Sequence, residues 1–302
     1  MNVLAIVGPT AVGKSALAVA VAKSCRGEII NIDSMQIYVG MNIGTATPNL
    51  IERAGVTHHL VDIWPPDHEL AVAEYQQVAR FAIDDVISRG AQPIVVGGSG
   101  LYVMGVLDDL QFPGTDPIVR ANLEAELQSA GPAVLHARLA GVDPVAAAAI
   151  LPTNGRRIVR ALEVIELTGE PFTATLPPPV SIYPTVRVGL EIAREVLDQR
   201  IADRVEQMWA AGFVDEVREL AESGLANWRT ASRALGYLQV LSYLVGQCTE
   251  SEAKRATIDA TIKFARRQQR WFRRDQRIHW IDYDTSDAEA RVLALLGSET
   301  LT

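Results

Sequence analysis

Short apolar runs alternate with longer amphipathic segments along the first third of the chain. The runs at residues 3–7, 28–33 and 93–96 have the length and composition of strands that are buried on both faces of a parallel sheet. Residues 15–23 and 69–89 place apolar side chains at helical spacing. This alternation predicts an α/β fold in which parallel strands are joined by right-handed helical crossovers.

A long helical segment without strand patterns begins after residue 114. Four helices are predicted in it, at residues 118–129, 133–140, 144–150 and 154–167. Three consecutive prolines then form a stiff linker, and residues 186–192 return to a strand pattern. We therefore predict an all-helical insertion at residues 115–185 in an α/β core formed by residues 1–114 and 186–302.

The last third of the chain is predicted to be mostly helical. The helices are expected at residues 197–211, 214–222, 232–245 and 250–275, before a short strand at 278–281. The longest helix begins with Thr249 and Glu252 at the spacing of a capping box, in which each side chain accepts a backbone hydrogen bond from the other residue.

Composition narrows the class of protein. The 302 residues are 48% hydrophobic and 21% charged, which is ordinary for a globular protein with a large core. Cys25 and Cys248 lie far apart, which favours a reducing compartment and argues against zinc. No apolar run reaches membrane-spanning length, so we expect no membrane segment, a cytoplasmic location and, by default, a monomer.

A glycine-rich loop directly follows the first predicted strand. It fits G-x-x-x-x-G-K-[ST], and its residues are Gly8, Pro9, Thr10, Ala11, Val12, Gly13, Lys14 and Ser15. The glycines let backbone N–H groups turn inward at the start of a helix, where anions bind well. Lys14 is suited to neutralising phosphate oxygens and Ser15 to binding Mg²⁺. The loop predicts polyphosphate binding on a P-loop NTPase-like sheet, but it does not by itself predict ATP hydrolysis.

Polar residues follow two other predicted strands. Asp33 comes at the end of the second strand, and a Gly-Gly-Ser-Gly turn from Gly97 follows the third. Ligands of open α/β sheets gather at the carboxyl ends of the strands. We therefore expect Asp33 to point into the same crevice as the P-loop, although an aspartate that only caps a turn fits the pattern equally well.

A basic stretch near the end of the chain stands out because the formal net charge is −8. Between residues 263 and 277, seven cations face one acid, and Trp271 and Phe272 lie among them. Phosphate backbones and stacked bases attract this mixture of side chains, so the pattern favours nucleic-acid binding. The alternative is a solvated helix face with extended arginines.

Taken together, these motifs resemble the tRNA dimethylallyltransferase family, also called the IPP transferases. Besides the P-loop, the matching stretches start at Asp33, Gly44, His58, Gly97, Arg157 and Arg233, and they follow the family's order over nearly the whole chain. The chain departs from the family pattern at Thr47, where a lysine is usual, at Gly155, where an acid is common, and at Ser99-Gly100, where a bulkier pair is usual.

The resemblance implies a reaction. A dimethylallyl group passes from dimethylallyl diphosphate to the exocyclic N6 amine of the adenine 3′ of the tRNA anticodon, and diphosphate leaves. Asp33 is the implied general base, Arg233 clamps the diphosphate opposite the P-loop, and Thr10 and Lys14 stabilise the leaving charge. The implied cofactor is Mg²⁺ on Ser15. Whether the P-loop also binds ATP or another nucleotide stays open.

The partner implied by the resemblance is the anticodon stem-loop of tRNA, whose target base must flip out of its stack. The residues expected to contact tRNA are Asp33, Ser34, Met35, Gln36, Ser99, Arg156, Arg157, Ile158, Val159, Arg160, Arg266, Arg267, Gln268, Arg270 and Trp271.

Three other functions use a similar loop. A small-molecule kinase would need a nucleotide-base pocket, and it leaves the basic helix unexplained. An RNA-binding NTPase switch would hydrolyse nucleotide slowly without changing the RNA. An adenylate isopentenyltransferase would prenylate a free nucleotide and would need neither the basic helix nor the insertion.

Overall fold

The computed structural model describes residues 1–172 and 176–298. The predicted insertion and core also include residues 173–175 and 299–302, which lie outside the described residues. By its internal contacts the chain divides into two units, Met1–Asp109 with Ser181–Thr302, and Leu110–Val180. Each boundary lies a few residues before the predicted one.

The first unit is built on a six-stranded sheet in the order β3-β2-β4-β1-β5-β6, in which all neighbours are parallel. The strands are β1 (Val3–Val7), β2 (Gly27–Asn31), β3 (His58–His59), β4 (Gln92–Gly97), β5 (Thr185–Glu191) and β6 (Ile278–Asp282). The predicted parallel α/β sheet is thereby confirmed. Because β1 lies between β4 and β5, the loop that follows it emerges beside the ends of both strands.

Helices flank this sheet. They are α1 (Lys14–Cys25), α2 (Leu50–Arg53), α3 (Val72–Ser88), α4 (Gly100–Leu107), α9 (Arg194–Ala210), α10 (Phe213–Glu222), α11 (Tyr237–Leu244), α12 (Glu250–Phe272) and α13 (Ala288–Ser298), with 3₁₀ turns at Leu225–Asn227 and Ala231–Arg233. Helices α2 and α13 were not predicted. The helix predicted at 232–245 is interrupted, because Gly236 has a φ of 87° between the 3₁₀ turn and α11.

The continuous apolar run of β1 is explained by cover on both faces of the sheet. Val3 and Val7 belong to a core that includes Tyr75 of α3. Leu4 and Ile6 point to the opposite face and pack in a second core with α1, α9 and α13. Successive side chains of a strand alternate between faces, so only a strand buried on both faces is apolar at every position.

The second unit contains four helices around its own apolar core. They are α5 (Pro117–Ala130), α6 (Pro132–Val142), α7 (Pro144–Ala149) and α8 (Gly155–Thr168). Leu123, Leu135, Leu139 and Leu162 lie in this core. Asn154 caps α8 by accepting the Arg157 N–H at 3.3 Å, as its position before the helix suggests.

Glu163 is a fully buried carboxylate in the second unit. It forms an ion pair with Arg120 and accepts hydrogen bonds from Thr115 Oγ1 at 2.6 Å and Arg160 Nη1 at 2.7 Å. Burial alone would raise the pKa of Glu163, but these three donors lower it to about 2. The carboxylate therefore stays charged and joins the start of α5 to α8.

Among the described residues, no helix combines the length and apolar character that a membrane crossing requires.

Candidate active site

The P-loop runs from the end of β1 into α1 with an unusual backbone. Gly8 and Gly13 have φ values of 144° and 110°, which side chains rarely allow. A Cβ on Gly8 would also meet the Leu190 carbonyl oxygen at 3.4 Å. The first turn of α1 begins at Lys14, so its unpaired N–H groups lie at the loop. The backbone thus has the form of an anion-binding turn.

Lys14 lies across this loop, where its Nζ donates to the Pro9 carbonyl oxygen at 2.6 Å. Burial lowers the pKa of Lys14 to about 8; the charge of Asp33 opposes this shift and that of Arg204 adds to it. The ammonium is therefore held in a site where an anion would restore the favourable environment that water normally gives it.

Two cavities meet at the P-loop. The first, which we call the phosphate cavity, has a volume of about 320 Å³, and its lining includes Thr10, Lys14, Ser15, Gly98 and Arg200. The second, the apolar cavity, has a volume of about 280 Å³, and Ile201, Val205, Met208, Leu235 and Phe264 form much of its wall. Both cavities are lined by Thr10, Asp33, Thr45 and Arg204. They therefore form one cleft with a charged half and an apolar half.

Asp33 lies at the junction of the two cavities. It lines the same cavity as Lys14, as the position of Asp33 after β2 suggests. Its Oδ1 also accepts the Met35 N–H at 2.9 Å, so the carboxylate caps the turn as well. Asp33 therefore both lines the cleft and caps the turn, so the two positions that its sequence context suggested apply to the same side chain.

The other predicted cleft residues lie around Asp33. Ser34, Met35, Ser99 and Arg233 line the apolar cavity. Gln36 lines the phosphate cavity, and its Nε2 donates to the carbonyl oxygens of Thr45 at 3.0 Å and Ala46 at 3.1 Å.

The loop at residues 42–47 contributes to the walls of both cavities. Glu216 of α10 holds it by accepting the backbone N–H groups of Asn42, Ile43 and Gly44 at 3.0, 2.7 and 3.2 Å. The same carboxylate accepts the hydroxyl of Tyr237 at 2.6 Å. The Glu216 carboxylate therefore holds the backbone that presents Thr45 to the cleft.

Arg200 and Arg204 are cleft residues that the sequence analysis missed. Arg204 donates to Thr10 Oγ1 at 3.0 Å and to the Thr45 carbonyl oxygen at 3.3 Å, and Arg200 donates to the Ala11 carbonyl oxygen at 2.8 Å. They belong to no motif that the analysis used. A signal was present, however, since the two arginines are four residues apart on a helix that follows the end of a sheet strand.

Gln268 connects α12 to the P-loop. Its side chain is buried, with 6% exposed, and its Oε1 accepts the Thr10 N–H at 2.9 Å while its Nε2 donates to the Gly98 carbonyl oxygen at 2.9 Å. Nearby, Trp271 packs so closely on Gly100 that a Cβ there would lie 2.1 Å from the indole ring. The carbonyl oxygen and the amino group of the Gln268 side chain are therefore both hydrogen-bonded within the protein.

The arginines of α12 differ in their surroundings. Arg266 forms an ion pair with Asp198 at 2.8 Å, whereas Arg267 lies over the Phe264 ring at 5.5 Å and lines the apolar cavity. Arg270 is exposed. Arg277 lies beyond the helix and pairs with Asp108 at 2.8 Å and Asp275 at 2.7 Å, so it is not part of the basic face.

The structure corrects part of the predicted RNA surface on α8. Ile158 and Val159 are 0% and 2% exposed in the core of the second unit, so their side chains are closed to RNA. Arg160 donates to the carbonyl oxygens of Gly114 at 3.0 Å and Pro113 at 2.6 Å. Arg156 and Arg157 are exposed at the start of the helix.

Comparison with known proteins finds matches to one family of enzymes along nearly the whole chain. Residues 36–275 match the family described as IPP transferase, and residues 1–65 match the family described as isopentenyl transferase. A tRNA dimethylallyltransferase from Thermobifida fusca is 60% identical, and the match covers 98% of this chain and 94% of the relative.

Two solved structures are similar as well. The full-length tRNA isopentenylpyrophosphate transferase from Bacillus halodurans has a TM-score of 0.74 and 39% identity, with 99% of this chain and 98% of that chain covered. A eukaryotic dimethylallyltransferase described as acting on tRNA has a TM-score of 0.78 and 26% identity, with 99% and 79% covered. On this evidence, the chain belongs to the IPP transferase family.

Proposed function

We propose that this protein is a tRNA dimethylallyltransferase. It transfers a dimethylallyl group from dimethylallyl diphosphate to the N6 amine of the adenine 3′ of the anticodon, and it releases diphosphate. The similarity to relatives of that name along the whole chain supports this function. The observation that carries it is the cleft in which a polyphosphate loop, the carboxylate of Asp33 and an apolar cavity meet.

The diphosphate is proposed to bind in the phosphate cavity. The bond between the allylic carbon and the diphosphate oxygen breaks, and its electron pair goes to that oxygen. The loop amides, Thr10 and Lys14 stabilise the resulting negative charge, which grows in the transition state. Arg233 lines the apolar cavity, and we propose that it clamps the diphosphate from that side.

Mg²⁺ fits this site chemically. It prefers oxygen ligands and usually keeps phosphates and waters in its shell, so a site with the Ser15 hydroxyl at the phosphate cavity suits it. When bound, the ion supplies further neutralisation of the leaving diphosphate.

Asp33 is the proposed general base. The N6 amine of adenine donates its lone pair to the allylic carbon, and the proton that the nitrogen loses passes to the Asp33 carboxylate. Asp33 lines both cavities, which is where a base must lie if the diphosphate occupies one of them and the adenine the other.

The adenine is proposed to enter the apolar cavity after it flips out of the anticodon loop. Ser34, Met35 and Ser99 then lie against the base, and Gln36 supports them through the loop at residues 42–47. The stem-loop phosphates bind to two sets of residues. One is the face of α12 with Arg266, Arg267, Arg270 and Trp271, and the other is the exposed pair Arg156 and Arg157. In this proposal Gln268 and Arg160 stabilise the fold through contacts within the protein and do not bind RNA.

We further propose that the protein acts as a monomer in the cytoplasm. The described residues of this chain supply each group that the proposed reaction uses, which supports the proposal of a monomer.

One experiment tests the reaction. The protein is mixed with an anticodon stem-loop, dimethylallyl diphosphate and Mg²⁺, without nucleotide. We expect the target adenine to gain the mass of one isopentenyl unit and free diphosphate to accumulate in equal amount. An unchanged RNA mass contradicts the proposal. In a separate reaction with ATP and a small-molecule acceptor, formation of ADP would point to a kinase.

A further inference from the structure

Three successive backbone N–H groups at the start of the loop at residues 42–47 point at one carboxylate. Glu216 Oε2 accepts the N–H groups of Asn42 and Ile43 at 3.0 and 2.7 Å, and its Oε1 accepts that of Gly44 at 3.2 Å. Successive N–H groups that converge in this way form a concave site for an anion. Here a side chain of α10 occupies that site. Glu216 lines neither cavity, so it holds the loop from outside the cleft.

Asn42 is also held by a second carboxylate, that of Asp62. With its amide nitrogen toward Asp62, the Asn42 side chain donates to Oδ1 at 2.9 Å and to Oδ2 at 3.2 Å. A carboxylate only accepts hydrogen bonds, so this amide orientation is the one that satisfies both groups. Asp62 follows β3, and its own N–H donates to the Gln36 carbonyl oxygen at 3.1 Å. Two carboxylates from separate segments therefore fix the first residue of the loop.

Aromatic packing sets the other limit on the position of the loop. The Tyr237 hydroxyl donates to Glu216 Oε1 at 2.6 Å, and the buried rings of Tyr237 and Phe213 meet edge to face at 5.0 Å. A Cβ on Gly44 would lie 2.3 Å from the Phe213 ring and 2.4 Å from the Tyr237 ring. The loop is thus pressed against two rings while the carboxylate holds its N–H groups.

Thr45 carries this constraint into the cleft. Its carbonyl oxygen accepts from Gln36 Nε2 at 3.0 Å and from Arg204 Nη2 at 3.3 Å. Gln36 follows β2 and Arg204 lies on α9, so one carbonyl group orients two side chains that reach the cleft from different elements. Thr45 itself lines both cavities. A displacement of the loop would therefore move part of both walls and turn both side chains.

We propose that Glu216 and Asp62 are positioning residues of the reaction, which hold the loop so that Thr45 keeps its place between the two cavities. This inference rests on the proposed function. Neither carboxylate lines a cavity, so each acts through the loop and not by contact with a substrate. A displacement of about 1 Å in the groups that orient a substrate can lower the rate about 100-fold, even when the substituted residue is remote from the chemistry.

Hydrogen exchange tests the anchor without prenyl transfer. Glu216→Gln is compared with wild type and with Glu219→Gln, which changes an exposed glutamate on the same helix. Glutamine has one acceptor oxygen, and its amino group would face backbone donors. We therefore expect the amides of residues 42–44 to exchange about 10- to 100-fold faster, the range of a lost charged hydrogen bond. Glu219→Gln should exchange as wild type does.

Turnover tests the consequence for the reaction. At a temperature well below the unfolding of every variant, kcat of Glu216→Gln should fall about 10- to 100-fold. Its affinity for the stem-loop should stay within about twofold, because phosphate contacts elsewhere dominate RNA binding. A role in stability alone would lower Tm and leave kcat unchanged at this temperature. Glu219→Gln should keep the kcat of wild type.

An exchange of side chains between positions 42 and 62 provides a rescue. Asn42→Asp alone places a second carboxylate against Asp62 and should lower kcat at least about 10-fold. Asn42→Asp combined with Asp62→Asn restores a donor facing an acceptor, and asparagine tolerates the φ of 51° at position 62. The double variant should therefore be more active than Asn42→Asp. This comparison decides the question if Glu216→Gln does not fold.

Three results overturn the inference. The first is unchanged exchange at residues 42–44 in a folded Glu216→Gln protein. The second is faster exchange there with an unchanged kcat, which would mean that the reaction does not depend on the position of the loop. The third is a double variant no more active than Asn42→Asp. If Glu216→Gln loosens the loop but wild type never prenylates RNA, the proposed function fails and the anchor of the loop stands.

Discussion

Single side chains of the cleft combine two tasks. Asp33 accepts the Met35 N–H with its Oδ1 and also lines both cavities. Lys14 donates to Pro9 within the loop and lines the phosphate cavity. Such contacts fix the orientation of the side chains that we propose to take part in the reaction before the substrate arrives, which reduces the cost of ordering them.

The first prediction at this scale concerns Asp33. Asp33→Asn keeps the size of the side chain and an oxygen for Met35, but it removes the base. We expect kcat for prenyl transfer to fall about 10²- to 10⁴-fold, the usual contribution of a general base. Affinity for the stem-loop, measured by titration, should stay within about twofold. Unchanged kcat would remove Asp33 from the chemistry.

The second prediction follows from Lys14. Its pKa is lowered to about 8, so in the free protein the ammonium loses its proton as the pH rises through this value. A neutral amine does not compensate phosphate charge, so affinity for pyrophosphate should fall from about pH 7 to about pH 9. Lys14→Gln should bind weakly at both pH values. Calorimetry of both proteins checks this, and equal pH profiles would contradict it.

At the scale of elements, polar side chains of the helices hold the site. Glu216 of α10 fixes the loop at residues 42–47, and Gln268 of α12 fixes the P-loop and the turn after β4. Glu163 joins α5 and α8 in the second unit in a similar way. Each anchor accepts or donates several hydrogen bonds at once, so its loss leaves several groups without that partner.

The prediction at this scale compares two glutamates of α8. Glu163→Gln should destabilise the second unit by about 3 kcal/mol, because it leaves the half-buried charges of Arg120 and Arg160 without the carboxylate that compensates them. Glu166→Gln changes a half-exposed side chain that lies 3.7 Å from Arg138 and should cost less than about 0.5 kcal/mol. Hydrogen exchange of the amides at residues 110–172 in the full chain measures the loss of stability in each variant.

The pH dependence of this anchor has a definite sign. The folded-state pKa of Glu163 is about 2, below its usual 4.5, so its contribution to stability is complete above about pH 4.5. The contribution is lost as the pH falls toward 2. Wild type should therefore lose exchange protection in this unit on acidification, whereas Glu163→Gln should lose less. Equal losses would argue against the anchor.

For the molecule as a whole, the uneven distribution of charge matters most. The formal net charge is −8, yet the exposed face of α12 is basic. A long-range field of this kind repels nucleic acid from most of the surface and attracts it to one region. Since α12 also carries Gln268, the helix that is proposed to bind RNA is the same helix that holds the P-loop.

The prediction at the whole-molecule scale uses the salt dependence of stem-loop binding. Arg270→Gln removes an exposed cation and should reduce the slope of log affinity against log salt by about one unit. Arg266→Gln is the matched control on the same helix and should reduce it less, because Asp198 already compensates Arg266. Equal slopes for wild type and Arg270→Gln would exclude this face as an RNA contact.

The sequence by itself determined those features of this protein that depend on residues close together in the chain. The P-loop, the apolar strands and the capping box of Thr249 and Glu252 each depend on residues that are close in the chain, so their patterns can be read without a fold. The position of Asp33 after the second strand placed it near the P-loop, and the family resemblance added its implied role and Arg233. Helix α13 was not predicted.

Tertiary structure alone decided how distant segments meet. The strand order brings Thr10, Arg204 and Gln268 together from three distant parts of the chain, and no spacing in the sequence encodes that contact. It also buried Ile158 and Val159 beside exposed arginines, because the packing of α8 determines which of its sides faces the core. Contacts between elements depend on the path of the whole chain, which local patterns do not contain.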